Sequence, residues 1–175
     1  MIVVADSSPL VCLARTDLLH LLRDMFGQVL VPRIVWDEVT LARPDAPGAL
    51  AVAGADWIRI RETPTEDPEG LGLDPGETAA IRLAEALGAD LLLIDERSGR
   101  RVAEARRLHV RGTLGVLIRA RQLGWIPSLR AVIERLLDQG FRLSPELVEE
   151  ALSQAGEGEG CATARASSTA GPGTR

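Results

Sequence analysis

The stretch Leu91-Leu92-Leu93-Ile94-Asp95-Glu96, four apolar residues running into two carboxylates, restricts the fold more than any other part of the chain. It is entered through Gly88-Ala89-Asp90, and an apolar run this short reads as a strand buried on both faces, as in a parallel sheet covered by helices. Asp95 then lies just beyond the carboxyl end of that strand. Ligands bind at this edge of open α/β sheets, so an acid placed there is a functional candidate. The amino terminus repeats the device, with Ile2-Val3-Val4-Ala5 running into Asp6. Two buried strands that deliver an aspartate to one edge make a more specific signal than either alone.

The rest of the chain supplies the helices and strands for such a sheet. After Asp6, Ser7-Ser8-Pro9 suits a helix start with Ser8 as cap and Pro9 at the first helical position, and a second short helix runs to Gly27. Val29-Leu30-Val31 reads as a strand, and Pro32 opens a helix with Ile34, Val35 and Val39 as its apolar stripe. Glu38 falls within that stripe, where a carboxylate is costly unless it is paired, metal-bound or at a cavity. A short helix is expected around 49–53, an edge strand over 57–61 where apolar and basic residues alternate, and a loop over 62–72.

Asp74-Pro75-Gly76-Glu77 opens a helix to about Leu87, closed by Gly88. Asp74 as cap, Pro75 at the first position and Glu77 at the third resemble a capping box, yet Glu77 also shares the buried face of Ala80 and Ile81. Beyond the central strand come an Arg-rich helix over 98–108, a minimal strand at His109-Val110, and helices beginning near Thr113, Leu129 and Pro145. From Gly156 the chain is Gly, Ala, Ser, Thr and Pro without apolar periodicity. At 175 residues this gives one domain over 1–155 and a disordered tail over 156–175.

Charge is unevenly spread. Residues 1–96 hold 17 acids and 7 Arg, residues 97–121 hold 8 Arg and one acid, and the remainder holds 7 acids and 5 Arg. The basic block starts directly after Asp95-Glu96; it fits either a solvated helix surface or a phosphate-bearing partner. On the second reading Arg97, Arg100 and Arg101 are the residues that contact the partner's phosphates. With 3% aromatic residues and no Tyr, the composition argues against a stacking platform for single-stranded nucleic acid. Cys12 and Cys161 make neither a disulfide framework nor a zinc spacing, which fits a reducing cytoplasm. The absence of a signal sequence and of any run near ~18 apolar residues predicts a soluble cytoplasmic protein with no membrane partner.

If Asp6 and Asp95 end neighbouring strands while Glu38 and Glu77 sit on helices over the same edge, four carboxylates converge. They cannot all stay ionised in a partly buried pocket without a cation or raised pKa values. Magnesium or manganese, held by carboxylate oxygens and water, is the natural occupant. Such a site activates water and stabilises in-line displacement at phosphorus, which points to phosphodiester hydrolysis. Each acid also has a structural alternative. Asp95 and Asp6 could cap the helices that follow them, and Glu38 could pair with an Arg. Four independent caps, however, need not share an edge. A magnesium-dependent phosphotransferase with Asp6 as the phosphorylated group would call for a suitably placed Lys, and the chain has none.

Asp6-Ser7-Ser8-Pro9-Leu10, Glu38 in a helix, Asp74-Pro75-Gly76-Glu77-Thr78-Ala79-Ala80-Ile81, Gly88 through Asp95, and Gly112-Thr113-Leu114-Gly115-Val116-Leu117 together resemble the PIN-domain ribonucleases, in a branch related to the VapC toxins of bacteria and archaea. The resemblance covers about residues 1–155. It implies a three-layer α/β/α sandwich with a central parallel sheet and magnesium-dependent endoribonuclease activity, as in the toxin of a toxin-antitoxin pair. By position, Asp6, Glu38, Glu77 and Asp95 match the catalytic, metal-binding acidic quartet. Thr113 matches the small polar residue near the metal, and Ser7 is a second supporting polar group. Glu77 stands where many relatives have Asp, and Glu96 adds a further charge. The implied partners are RNA, a small antitoxin protein and a second copy of the chain; the alternative is a non-catalytic PIN-like module that binds RNA or a protein.

Overall fold

The short apolar runs become strands and the amphipathic stretches between them become helices. The computed structural model describes residues 1–42, 44–64 and 71–158; part of the expected loop over 62–72 and most of the expected tail lie outside the described residues. The chain falls into two compact units, one ending at Val116 and the other beginning at Leu117.

The first unit is built on a sheet of β1 (Val3–Ala5), β2 (Val29–Pro32), β3 (Ile58–Arg61), β4 (Leu91–Leu93) and β5 (Val110–Arg111), in the order β3-β2-β1-β4-β5. Every neighbouring pair is parallel. Parallel neighbours need crossovers. These are supplied by α1 (Ser7–Arg15) and α2 (His20–Phe26), α3 (Arg33–Thr40) and α4 (Ala49–Ala53), α5 (Pro75–Leu87), and α6 (Arg97–Ala105). The result is the helix-flanked parallel sheet expected of an α/β/α sandwich.

β1 and β4 lie side by side at the centre, with Val3 opposite Leu91, Val4 opposite Leu92 and Ala5 opposite Leu93, and all six are buried. On one face Val4, Leu92 and Ile94 pack against Ala80, Ile81, Leu83 and Ala84 of α5 and Ala103 of α6. Each Val, Leu and Ile side chain among them contributes roughly 1.5–3 kcal/mol on full burial. β3 is the expected edge strand, with Ile58 buried and Arg59 and Arg61 exposed.

Because each crossover returns to the same end of the sheet, α1, α3, α5 and α6 all begin at its carboxyl edge. The helix α7 (Thr113–Gln122) also begins there, directly after β5. Helix amino termini carry partial positive charge from unpaired N–H groups. That edge is therefore suited to carboxylates and phosphates before any side chain is considered.

Two helix starts differ from the sequence expectation. α1 begins at Ser7 with Asp6 in the cap position, so Ser8 is inside the helix. α6 begins at Arg97 with Glu96 in the cap position, so Asp95 is not the cap of the helix that follows it.

In the second unit, α8 (Leu129–Asp138) buries Leu129, Val132, Ile133 and Leu136, and α9 (Pro145–Gln154) buries Ala151 and Leu152. Ser128 and Ser144 accept from the amides of Ala131 and Leu147 as caps. Glu157, which the sequence reading assigns to a disordered tail, is held in place. Its Oε1 accepts from Leu129 N at 2.8 Å and from the Arg121 guanidinium, and its Oε2 accepts from Arg130 N and Ser128 Oγ, both at 3.0 Å. The reason is local: the first turn of α8 offers unpaired N–H donors, and an acid one turn past α9 reaches them.

Candidate active site

Asp6 and Asp95 reach the carboxyl edge on adjacent strands. Asp6 N donates to Leu93 O at 3.0 Å, continuing the β1–β4 ladder by one residue and fixing where the Asp6 side chain starts. Asp6 is only 2% exposed, and its Oδ1 has no hydrogen-bond partner. Burial pushes its carboxyl up to about 7; the Ser7 backbone N–H pulls the other way, and the charges of Asp74, Glu77 and Glu38 add to the rise. Ser7 thus acts on Asp6 through its backbone.

Glu77 sits in the first turn of α5, where Asp74 Oδ1 accepts from Glu77 N at 2.8 Å. The capping box is real, and so is the burial: Glu77 is 4% exposed and its Oε1 has no partner. Burial raises its pKa, as does Asp74; the Asp74 backbone N–H lowers it, and Glu96 raises it again. The carboxylate lies against the first turn of α6, where a Cβ on Gly99 would come within 2.7 Å of Glu77 Oε1 and 2.5 Å of Ile94 Cδ1. Only glycine lets the helix approach the acid this closely.

Glu38 departs from expectation. It is exposed, as is Ile34 at 44%, because α3 turns Val35, Val39 and Thr40 inward and leaves Ile34 and Glu38 on the opposite flank. It still reaches the edge, with Oε2 standing 3.2 Å from where a Cβ on Gly76 would be, next to Asp74 Oδ1 at 3.4 Å from the same point. Asp74, which the sequence reading treats only as a cap, is therefore a member of the acidic group. Its Asp-Pro-Gly-Glu setting contained that signal, since a cap at the start of α5 necessarily faces the carboxyl edge.

Asp95 is held separately. Its Oδ1 accepts from Thr113 N at 2.7 Å and its Oδ2 accepts from Thr113 Oγ1 at 2.6 Å. It caps the first turn of α7 from a neighbouring strand, and buried Thr113 fixes the orientation of both oxygens. The free thiol of Cys12 lies beside this pair; burial, then the Asp95 charge, push it up to about 12, so it stays neutral. Of the basic block, Arg97 and Arg101 are exposed and Arg100 is half-buried, whereas Arg106 is committed to Glu85 at 2.8 Å.

The structure thus brings Asp6, Glu38, Asp74 and Glu77 into one electrostatic group and sets Asp95 at the adjoining strand end. Among the described residues no three His, Cys, Asp or Glu side chains stand close enough to hold a metal ion as they are placed. The chemistry of the set nonetheless fits a hard divalent cation: every donor is a carboxylate oxygen, and the two most buried acids each carry an oxygen with no partner.

An open α/β protein with an all-parallel sheet and carboxylates gathered at its ligand edge is the class these features define. Within that class the chain belongs to the PIN-domain family, whose model matches residues 2–157. PIN domains are typically nucleases acting on RNA, and they generally use divalent metal ions. No curated protein and no solved structure matches the chain. Among the described residues no helix is long and apolar enough to cross a membrane.

Proposed function

We propose that the protein is a metal-dependent endoribonuclease that hydrolyses RNA phosphodiester bonds at the acidic edge of its sheet. The observation that carries this reading is the pair of buried, unpartnered oxygens, Asp6 Oδ1 and Glu77 Oε1. A fold that merely needed two helix caps would not leave two desolvated carboxylates hungry, each at a cost of several kcal/mol in the charged form.

Asp6 and Glu77, with Glu38 and Asp95, are the residues that would hold magnesium or manganese. Bound there, the cation supplies an activated water and a counter-charge for the phosphoryl oxygens. Thr113 keeps Asp95 in one orientation, and the amino termini of the surrounding helices favour an anionic substrate. Arg97, Arg100 and Arg101 neutralise phosphates of the bound strand. In the reaction, water adds to phosphorus, one phosphorus–oxygen ester bond breaks, and the departing oxygen leaves protonated.

The test is magnesium-dependent cleavage of RNA that stops on chelation, together with a magnesium-induced rise in melting temperature. Cleavage that persists under chelation overturns the reading. The resemblance to VapC toxins extends it to a cytoplasmic toxin paired with a small antitoxin, with a second copy of the chain as a further partner. Growth arrest on expression, relieved by the product of a neighbouring reading frame, checks that extension. One observation favours a second reading, a non-catalytic module that binds RNA or a protein: among the described residues the acids do not close into a three-ligand cage as placed. RNA binding without cleavage in any divalent metal would select it.

A further inference from the structure

α6 presents its arginines unequally. Arg97 and Arg101 are exposed, while Arg100 is half-buried at the sheet edge. A Cβ on Gly112 would stand 2.7 Å from Asp95 Oδ1 and 3.0 Å from Arg100 Nη1. A side chain at residue 112 would therefore collide with both groups, and glycine is what lets the Asp95 carboxylate and the Arg100 guanidinium stand close together against the backbone at the strand end. Among the described residues these two groups form no ion pair with each other. Asp95 is not free to swing over, since Thr113 holds both of its oxygens.

A fixed carboxylate able to hold a cation and a guanidinium not paired with it, close together at one strand end, supply the cation ligand and the phosphate donor that a cation-assisted site needs. We propose that Arg100 is a catalytic residue of this site, taking a non-bridging phosphate oxygen of RNA beside Asp95 at the carboxyl edge. The proposal rests on the nuclease reading above and adds the residue that holds the reacting phosphate. Guanidinium suits the task because it is always protonated, planar and able to present two N–H groups to phosphate oxygens. As water bonds to phosphorus and the ester bond breaks, negative charge on the non-bridging oxygens is met by a positive group already in place, and Arg100 gives up no proton. Arg97 and Arg101, on the solvated side of the same helix, serve flanking phosphates and set affinity.

The experiment compares Arg100→Gln, Arg100→Lys, Arg97→Gln and Arg101→Gln in the full chain, with a short single-stranded oligoribonucleotide of mixed sequence. Cleavage kinetics are read in magnesium, binding of the same RNA is read by anisotropy in calcium, and the magnesium-induced shift in melting temperature is read without RNA. Arg100→Gln should lower kcat by ~100-fold or more, on the scale of losing one oxyanion donor, while the magnesium shift stays that of the parent. Arg100→Lys should recover part of kcat, because the charge remains and the fork does not. Arg97→Gln and Arg101→Gln should raise KM and weaken binding in calcium, with smaller effects on kcat. A kcat for Arg100→Gln no lower than that of Arg97→Gln overturns the proposal. So does loss of the magnesium shift in Arg100→Gln, which would make Arg100 a support for Asp95. A parent that cleaves RNA in no divalent metal removes the nuclease reading itself, and an indifferent Arg100→Gln in a cleaving parent removes this proposal alone.

Discussion

Glu157, in the helical unit, receives hydrogen bonds from two backbone amides, a hydroxyl and a guanidinium; Asp6, at the sheet edge, is more deeply buried and has one oxygen with no partner. Their titration follows. Burial alone would raise Glu157, but the amides of Arg130 and Leu129, with Arg121 and Ser128, hold it down at about 2, whereas Asp6 is pushed up to about 7. The same chain therefore shows how it treats an acid used for structure and leaves another acid visibly incomplete. A desolvated charge without a partner costs stability, and its persistence at a ligand edge supports the proposed cation site.

The largest effect expected from this contrast comes from Asp6→Asn. Loss of a group that only orients a metal ligand typically costs ~10–100-fold, so removing the proposed ligand itself should lower magnesium-dependent cleavage by at least ~100-fold. The metal-free variant should melt higher than the parent, because a buried charge is gone, and magnesium should shift it much less. A metal-free Asp6→Asn that melts lower would mean that Asp6 is satisfied as a cap, and the contrast would collapse.

Next in size is Glu157→Ala. Leaving the amides of Leu129 and Arg130 without their acceptor should cost about 2 kcal/mol in the helical unit, read by denaturant unfolding and by faster hydrogen exchange at those two amides. Truncation after Ala155 should reproduce it. Unchanged exchange would show that the clasp is ornamental.

Acid titration sharpens the comparison because the two carboxylates act with opposite sign. Glu157 is lowered from 4.5 to about 2, so its stabilisation is complete above about 4.5 and is lost as pH falls toward 2. Asp6 is raised from 3.8 to about 7, so the folded state holds its proton more tightly and stability declines as pH rises from about 4 to about 7; Glu77 shifts in the same direction. Metal-free protein should be most stable near pH 4 to 5, measured by thermal melts across pH. Magnesium should cancel the loss on the neutral side, since it binds the ionised carboxylates. The smallest effect expected is from truncation after Gly158, which should leave the melting temperature unchanged because every contact described for Glu157 is retained.

Asp6, Glu77 and Asp95 were legible in the sequence because a strand end or a capped helix start fixes where the next side chain goes. The sheet was legible for the same reason, through apolar runs too short for helices. Glu38 was harder. In an eight-residue helix the apolar stripe Ile34, Val35, Val39 does not decide which flank faces inward, and packing chose Val35, Val39 and Thr40. Glu157 was invisible because its value lies in donors 28 and 27 residues earlier, at the start of α8, and nothing in the local composition announces them. The role of Gly99 and Gly112 is steric and shows only once an acid stands where a side chain would be.

The hydrogen bonds between Asp95 and Thr113 have a consequence for heating. Because Asp95 is both a proposed cation ligand and the partner of the first amide of α7, the site and that helix turn cannot come apart independently. Fraying of a helix end is a low-energy event compared with global unfolding. As temperature rises, Asp95 should lose its fixed orientation while the sheet beneath it is still intact, so enzyme activity should fade below the melting temperature and return on cooling.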